Sequence, residues 1–357
     1  MLNAISLFSS AGIGEALIHK NINVLVANEL VQKRSDLYKR LYPKTKIVCG
    51  DIRKTEIKKE IFRQIGKNNI DVILASPPCQ GLSIAGKNRS QVAMEKDERN
   101  YLIFDVIEIV KALLPSYVII ENVSELLKMK VQYKNHVASI LEVLRSEFSD
   151  VYQIEGSILD ASDFGIPQRR LRAIIRLYKK NLTWNLPPKN LKKVTVRDAI
   201  GYLPSIESGE TSNILWHFAR RHDEKQVEWM KHTPTGKSAF DNDTYFPQKP
   251  DGSIINGYHS SYRRIKWDEP APTITIRNDA ISSQRNVHPG RLLPDGTYSD
   301  ARVLSPLELM ILNSLPTSWN IPFDTPEILV RQCIGESVPP LLIKKILLEI
   351  IENEKNN

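Results

Sequence analysis

The chain has 357 residues, with 49 lysines and arginines against 41 aspartates and glutamates, a formal net charge of +8 that suits an anionic partner such as nucleic acid. Its 41% hydrophobic and 25% charged residues are ordinary globular composition, enough for one large or two moderate domains, and they exclude intrinsic disorder. No apolar run is long enough to span a membrane, and Met1-Leu2-Asn3-Ala4-Ile5-Ser6 lacks the basic residues that open a signal peptide.

In chain order, short apolar runs predict strands at Ala4–Phe8, Ile22–Ala27, Ile47–Cys49, Val72–Ala75, Tyr117–Ile120, Tyr152–Leu159 and Ala173–Tyr178. Helical periodicity fills gaps at Ile57–Ile65, Leu102–Leu114 and Val137–Phe148. This alternation predicts an α/β fold with a doubly wound, mostly parallel sheet. The run Ile70–Ala75 is nearly continuous aliphatic, as a central strand covered on both faces should be. After about Lys179 the texture changes. Between Ala173 and Pro272 there are 16 lysines and arginines against 11 acids, and the helical period fades. Aromatics gather there at Trp216-His217-Phe218, Trp229, Tyr258-His259, Tyr262 and Trp267. A second, smaller, loop-rich domain is therefore expected at 180–300, between a sheet domain at 1–179 and a segment at 301–357 that completes it. Helical pattern returns in that last segment, at Ser305–Leu315 and Pro340–Glu354.

The unusual residues fall at the carboxyl ends of the predicted strands, the edge at which open α/β sheets bind ligands. After the first strand, Phe8-Ser9-Ser10-Ala11-Gly12-Ile13-Gly14-Glu15 is a tight turn of small residues that lets a ligand approach the backbone. Glu29, 21 residues beyond Phe8, is placed to bind ribose hydroxyls. Asp51 after the third strand could accept from an exocyclic amine. Taken singly, each of these is more often a helix cap or an ordinary turn. The fourth strand runs into Ser76-Pro77-Pro78-Cys79-Gln80 and the fifth into Glu121-Asn122-Val123. A lone cysteine is usually a small buried hydrophobe, but Cys79 follows two prolines in a loop, which favours a reactive thiol. Glu121 sits against Val118–Ile120 and Val123, surroundings that suit a proton donor. Cys49 within the third strand and Cys333 read as structural. Three scattered cysteines make neither a disulfide framework nor a zinc site, so no metal and a reducing cytoplasm are expected.

With these residues in place the chain resembles the C5-cytosine-specific DNA methyltransferase family, whose cofactor is S-adenosylmethionine (SAM). Phe8–Gly12 looks like that family's cofactor turn, Pro77-Pro78-Cys79-Gln80 its nucleophile motif and Glu121-Asn122-Val123 its glutamate motif. Gln168-Arg169-Arg170-Leu171-Arg172 fits its Q-x-R-x-R pattern. Arg302-Val303-Leu304-Ser305-Pro306-Leu307-Glu308 and Gly335-Glu336-Ser337-Val338-Pro339-Pro340 resemble its two C-terminal motifs. The resemblance implies the SAM-dependent methyltransferase fold, with 1–179 binding SAM and 180–300 recognising duplex DNA. It implies catalytic roles for Cys79, Glu121, Arg170 and Arg172. Cofactor contacts would come from Phe8, Ser10, Ala11, Gly12, Glu29, Asp51, Ile52, Pro77, Leu102 and Ser337. DNA contacts would come from Gln80, Ser83, Lys87 and Arg89, in a loop closing over a flipped-out cytosine. Two residues depart from the pattern. Ser10 replaces a glycine, with modest effect expected if its φ stays negative, and Glu336 replaces an asparagine.

The implied reaction is methyl transfer from SAM to C5 of a cytosine in a specific DNA sequence, through a covalent bond from Cys79. An amino-methylating enzyme would carry an aromatic where Cys79 stands. A tRNA cytosine methyltransferase tends to have a shorter recognition region than the roughly 130 residues between Arg172 and Arg302. A catalytically silent DNA-binding regulator would have lost the cysteine or the glutamate. The expected molecule is a monomeric, cytoplasmic bacterial modification enzyme. A restriction endonuclease acting on the same site is its possible companion, with no direct complex and no membrane contact implied.

Overall fold

The apolar runs become strands β1 (Leu2–Leu7), β2 (Ile22–Glu29), β3 (Lys46–Cys49), β4 (Val72–Ala75), β5 (Tyr117–Val123), β6 (Lys130–Tyr133), β7 (His136–Ser139), β8 (Tyr152–Asp160) and β9 (Leu171–Lys179). The helices are α1 (Gln32–Leu41), α2 (Thr55–Ile65), α3 (Leu102–Leu113), α4 (Ile140–Phe148), α5 (Val196–Ile200), α6 (Glu224–Lys231), α7 (Pro306–Leu312), α8 (Glu327–Glu336) and α9 (Pro340–Asn356). The computed structural model describes residues 1–78, 101–249, 251–316 and 318–356. By contact the chain divides into two units, Met1–Asp160 with Leu171–Pro188 and Pro340–Asn357, and Ala161–Arg170 with Lys189–Pro339.

The first unit holds a seven-stranded sheet in the order β3-β2-β1-β4-β5-β9-β8. Neighbours among β1 to β5 run parallel, while β9 is antiparallel to both β5 and β8. The sheet is mostly parallel and mixed, as the alternation of periods predicts. All four residues of β4 are buried, which explains its unbroken aliphatic run. Helix α9 packs on the short 3₁₀ turn Ile13–Glu15, and the buried Trp184 donates its indole N–H to the Ile346 carbonyl at 2.9 Å. The helix expected at Val137–Phe148 begins only at Ile140. Ser139 and Glu142 form a capping box there. The preceding residues pair instead as the β6–β7 hairpin, in which Lys134 takes a φ of 51° and Val137 is exposed.

The second unit has short helices joined by long irregular segments, with isolated bridges such as Ser238–Arg263 and Val287–Val303. Irregular backbone leaves carbonyls outside any ladder, and each needs a donor when buried. Arginine, with five donors, supplies them. Arg264 reaches the carbonyls of Met230, His288 and Asp300, and Arg302 those of Ile206 and Val303. Arg302 also joins two buried carboxylates, Asp300 at 2.8 Å and Glu308 at 2.8 Å. His288 lies between those acids and accepts from the Gly290 amide at 3.1 Å.

Burial, reinforced by Arg302, pushes the His288 imidazole down to about 3, and Arg302 is the chief group holding Glu308 down at about 2 against its burial. Both folded values lie below the unfolded ones. Their stabilisation is therefore complete above the unfolded value and lost as pH falls towards the folded one, because the unfolded chain binds protons first. For His288 the window opens at 6.5 and closes near 3. The urea midpoint should drop between pH 7.5 and 5.5, with His288 contributing about 1 kcal/mol over the pH unit below 6.5. His288→Asn should flatten that dependence, and a midpoint equal at the two pH values would contradict the assignment.

Candidate active site

The turn after β1 is held in an unusual conformation. Phe8, Ser10 and Gly12 have φ of 61°, 49° and 73°. Ser10 thus adopts the left-handed region, contrary to the negative φ expected of a serine there, at a cost of about 1–2 kcal/mol. It is fixed by Glu29 at the end of β2, whose carboxylate accepts from the Ser10 amide at 2.8 Å and the Val31 amide at 2.8 Å. The Ser10 hydroxyl is buried and meets no hydrogen-bond partner among the described residues. At Gly12 a Cβ would lie 2.3 Å from the Tyr42 ring, so only glycine fits. Ala11 is wholly buried and Phe8 half-buried.

Asp51 follows β3, where Arg53 grips its carboxylate with two nitrogens, Nη2 to Oδ2 at 2.7 Å and Nε to Oδ1 at 3.1 Å. Arg53 holds Asp51 below its ordinary value. Ile52 and Leu102 are buried in the core of the sheet unit. Leu30, directly after Glu29, stays 62% exposed despite its apolar side chain. A turn of small residues, a hydroxyl unsatisfied among the described residues and acids at the ends of β2 and β3 fit a polar nucleoside with a charged tail. Sequence reasoning missed Arg53 and Leu30, although both adjoin residues it singled out.

At the end of β5, Glu121 is nearly buried and forms an ion pair with Arg172 at 2.8 Å. The antiparallel register explains it. Val123 faces Arg172 and Glu121 faces Ile174, so glutamate and arginine are diagonal neighbours on one face. Burial pulls the Arg172 guanidinium down from its ordinary value, and Glu121 opposes that shift. The next residue, Asn122, donates from Nδ2 to the Pro77 carbonyl at 2.9 Å, tying the glutamate strand to the Pro77-Pro78 segment. Cys79, Gln80, Ser83, Lys87 and Arg89 lie outside the described residues. Cys49 is half-buried and Cys333 buried within α8.

Arg170 belongs to the second unit, where it donates to the carbonyls of Ile274 at 2.7 Å, Gly335 at 3.1 Å and Glu336 at 3.2 Å. Gln168 accepts from the Ile274 amide and donates to Asn313, which in turn donates to the Ser337 hydroxyl at 2.9 Å. Ser337 caps α8 and returns its proton to the Ile334 carbonyl. The two arginines of one sequence motif therefore serve different partners.

The sequence profile of the C-5 cytosine-specific DNA methylase family matches residues 2–352. The type II methyltransferase M1.HgaI of Avibacterium volantium is 59% identical over 347 residues, covering 97% of each chain. The type II methyltransferase M1.HphI of Haemophilus parahaemolyticus is 28% identical over 99% of this chain and 88% of its own. Among solved structures, the methyltransferase EhMeth of Entamoeba histolytica superposes with a TM-score of 0.65 at 15% identity, covering 99% of each chain, which speaks for the fold.

The Glu121–Arg172 pair makes a stability prediction independent of chemistry. Removing one partner strands the other, so Glu121→Leu and Arg172→Met should each cost about 3 kcal/mol in urea unfolding. The double variant should cost clearly less than the two combined. Additivity to within about 0.5 kcal/mol would show the residues to be uncoupled.

Proposed function

This chain belongs to the C-5 cytosine-specific DNA methylase family, as a DNA cytosine-5 methyltransferase of the type II restriction–modification kind, and from that premise we propose how its residues divide the reaction. The carrying observation is the bond from Asn122 to the Pro77 carbonyl, which ties Glu121 to the segment leading into Cys79. The sheet unit binds SAM, and SAM supplies an electrophilic methyl group for C5. Glu29 takes the ribose hydroxyls, Asp51 the adenine amine and Ile52 the adenine face. The amides of Ser10 to Gly12 and the free Ser10 hydroxyl meet the amino-acid end. Phe8, Pro77 and Leu102 complete the surroundings.

Cytosine C5 is a poor nucleophile until a nucleophile adds at C6. The base is flipped from the duplex, at a cost of a few kcal/mol, and the Cys79 thiolate bonds to C6. The electron pair moves into the ring while Glu121 gives its proton to N3, a contribution of roughly 10²–10⁴ in rate. Arg172 orients Glu121, and Arg170 holds the loop bearing Ile274. Once C5 carries the methyl group, its proton passes to a solvent water, the C5–C6 double bond re-forms as the C6–sulfur bond breaks to free the thiolate, and N3 returns its proton to Glu121. Gln80, Ser83, Lys87 and Arg89 contact the DNA, and region 180–300 reads the site. The enzyme works as a cytoplasmic monomer whose mark guards DNA against a companion endonuclease. No helix among the described residues is long and apolar enough to cross a membrane.

DNA carrying 5-fluorocytosine tests the covalent step, because fluorine cannot leave as a cation. Wild type should form a SAM-dependent adduct stable on denaturing gels, Cys79→Ala should form none, and Glu121→Gln should form it far more slowly. An adduct from Cys79→Ala would move the nucleophile elsewhere. By calorimetry, Glu29→Ala should bind S-adenosylhomocysteine at least tenfold more weakly, and wild-type affinity in that variant would remove Glu29 from the site.

A further inference from the structure

The reaction above gives no task to Glu15, a buried acid of the sheet unit. Glu15 ends the 3₁₀ turn Ile13–Glu15 and is 3% exposed. Its carboxyl meets the hydroxyls of Ser6 and of Tyr38, itself fully buried on α1. Burial pushes Glu15 up to about 7, well above an ordinary carboxylate. One turn further along the chain, Tyr42 donates its hydroxyl to the Gly12 carbonyl at 2.8 Å. The two tyrosine rings lie 5.0 Å apart, and His19 stacks on Tyr42 at 4.6 Å. The missing Cβ of Gly12 is what allows this approach: it would fall 2.3 Å from Tyr42 and 2.8 Å from Tyr38.

The turn is thus held at three points. Glu29 grips the Ser10 amide, Tyr42 the Gly12 carbonyl, and Tyr38 with Ser6 the Glu15 carboxyl. Ser10 and Phe8, both left-handed without being glycine, would relax if the grips were released. Glu29 ends β2 and α1 begins at Gln32, so a single β2–α1 segment supplies the acid and both tyrosines.

We propose that Glu15, Tyr38 and Tyr42 are positioning residues for the methyl donor, bracing the Phe8–Gly12 turn in the shape that receives it. The proposal rests on the cofactor reading of that turn. None of the three touches the cofactor. They act through the conformation of Ser10 and Gly12, and Glu15 serves as a hydrogen-bonding group, a role that an amide can fill.

The test uses the full-length enzyme, with S-adenosylhomocysteine binding followed by calorimetry and steady-state kinetics alongside. Tyr42→Phe keeps the ring and removes one hydrogen bond; it should weaken S-adenosylhomocysteine about fivefold. Glu15→Leu should weaken it tenfold or more, and Glu15→Gln should restore most of the loss. In each variant the KM for SAM should rise while the KM for DNA and kcat at saturating SAM hold, a split that general loosening of the fold would not give. Folded Tyr42→Phe and Glu15→Leu proteins that bind within twofold of wild type would overturn the brace, as would parallel losses for SAM and DNA. Glu29→Ala separates the two levels. If it too binds normally, the cofactor reading falls and the brace with it. If Glu29→Ala alone is weak, only the brace is wrong.

Discussion

A buried backbone carbonyl outside a regular ladder must find a donor, and in this protein arginine repeatedly provides one. The sheet unit satisfies most of its backbone through strand pairing. The second unit, with little pairing, places Arg170, Arg264, Arg302 and Arg331 among its largest fully buried side chains. A hydrophobic residue at any of these positions would fill the volume but leave the carbonyls unmet, and a lysine offers a point charge where a fork is needed. Arg302 is paired with Asp300 and Glu308, and Arg331 with Glu327. That is a costly way to build a core. It also lets long loops, free of helical or sheet periodicity, hold one conformation.

In the sheet unit the same side chain pairs with a carboxylate at the strand ends. Arg172 meets Glu121 because β9 runs antiparallel to β5, which brings the two residues into diagonal register at one end of the sheet. A parallel β9 would present different partners. The reversal of one strand in an otherwise parallel series thus positions the acid, and Asn122 links that strand end to Pro77.

Much of this was legible in the sequence because parallel strands buried on both faces advertise themselves as aliphatic runs. The positions of Glu29, Asp51 and Glu121 at strand ends followed from those runs. What escaped depended on competition or on distant partners. Val137 and Ala138 read equally well as helix or strand until the Ser139–Glu142 capping box decides the start of α4. Ser10 takes a positive φ because Glu29 holds its amide, a contact 19 residues away that no local propensity reports. Arg170 and Arg172 look equivalent in their motif, and only the start of β9 at Leu171 separates them. The role of Glu15 was hidden because an acid next to a glycine turn looks solvent-facing until α1 covers it.

Helix α9 packs on the Ile13–Glu15 turn, and Ile346 receives the Trp184 indole at a sequence separation of 162. In the order of synthesis, residues 1–188 can pair their strands long before this helix is made, and residues 189–339 of the second unit are translated in between. Closing so long a loop adds little entropic cost, about 0.6 kcal/mol for each doubling of length. The consequence is one of timing. A nascent chain carries its Ile13–Glu15 turn uncovered on that side until residues 340–356 emerge from the ribosome, so the sheet unit becomes complete only after the unit inserted into it has had time to fold.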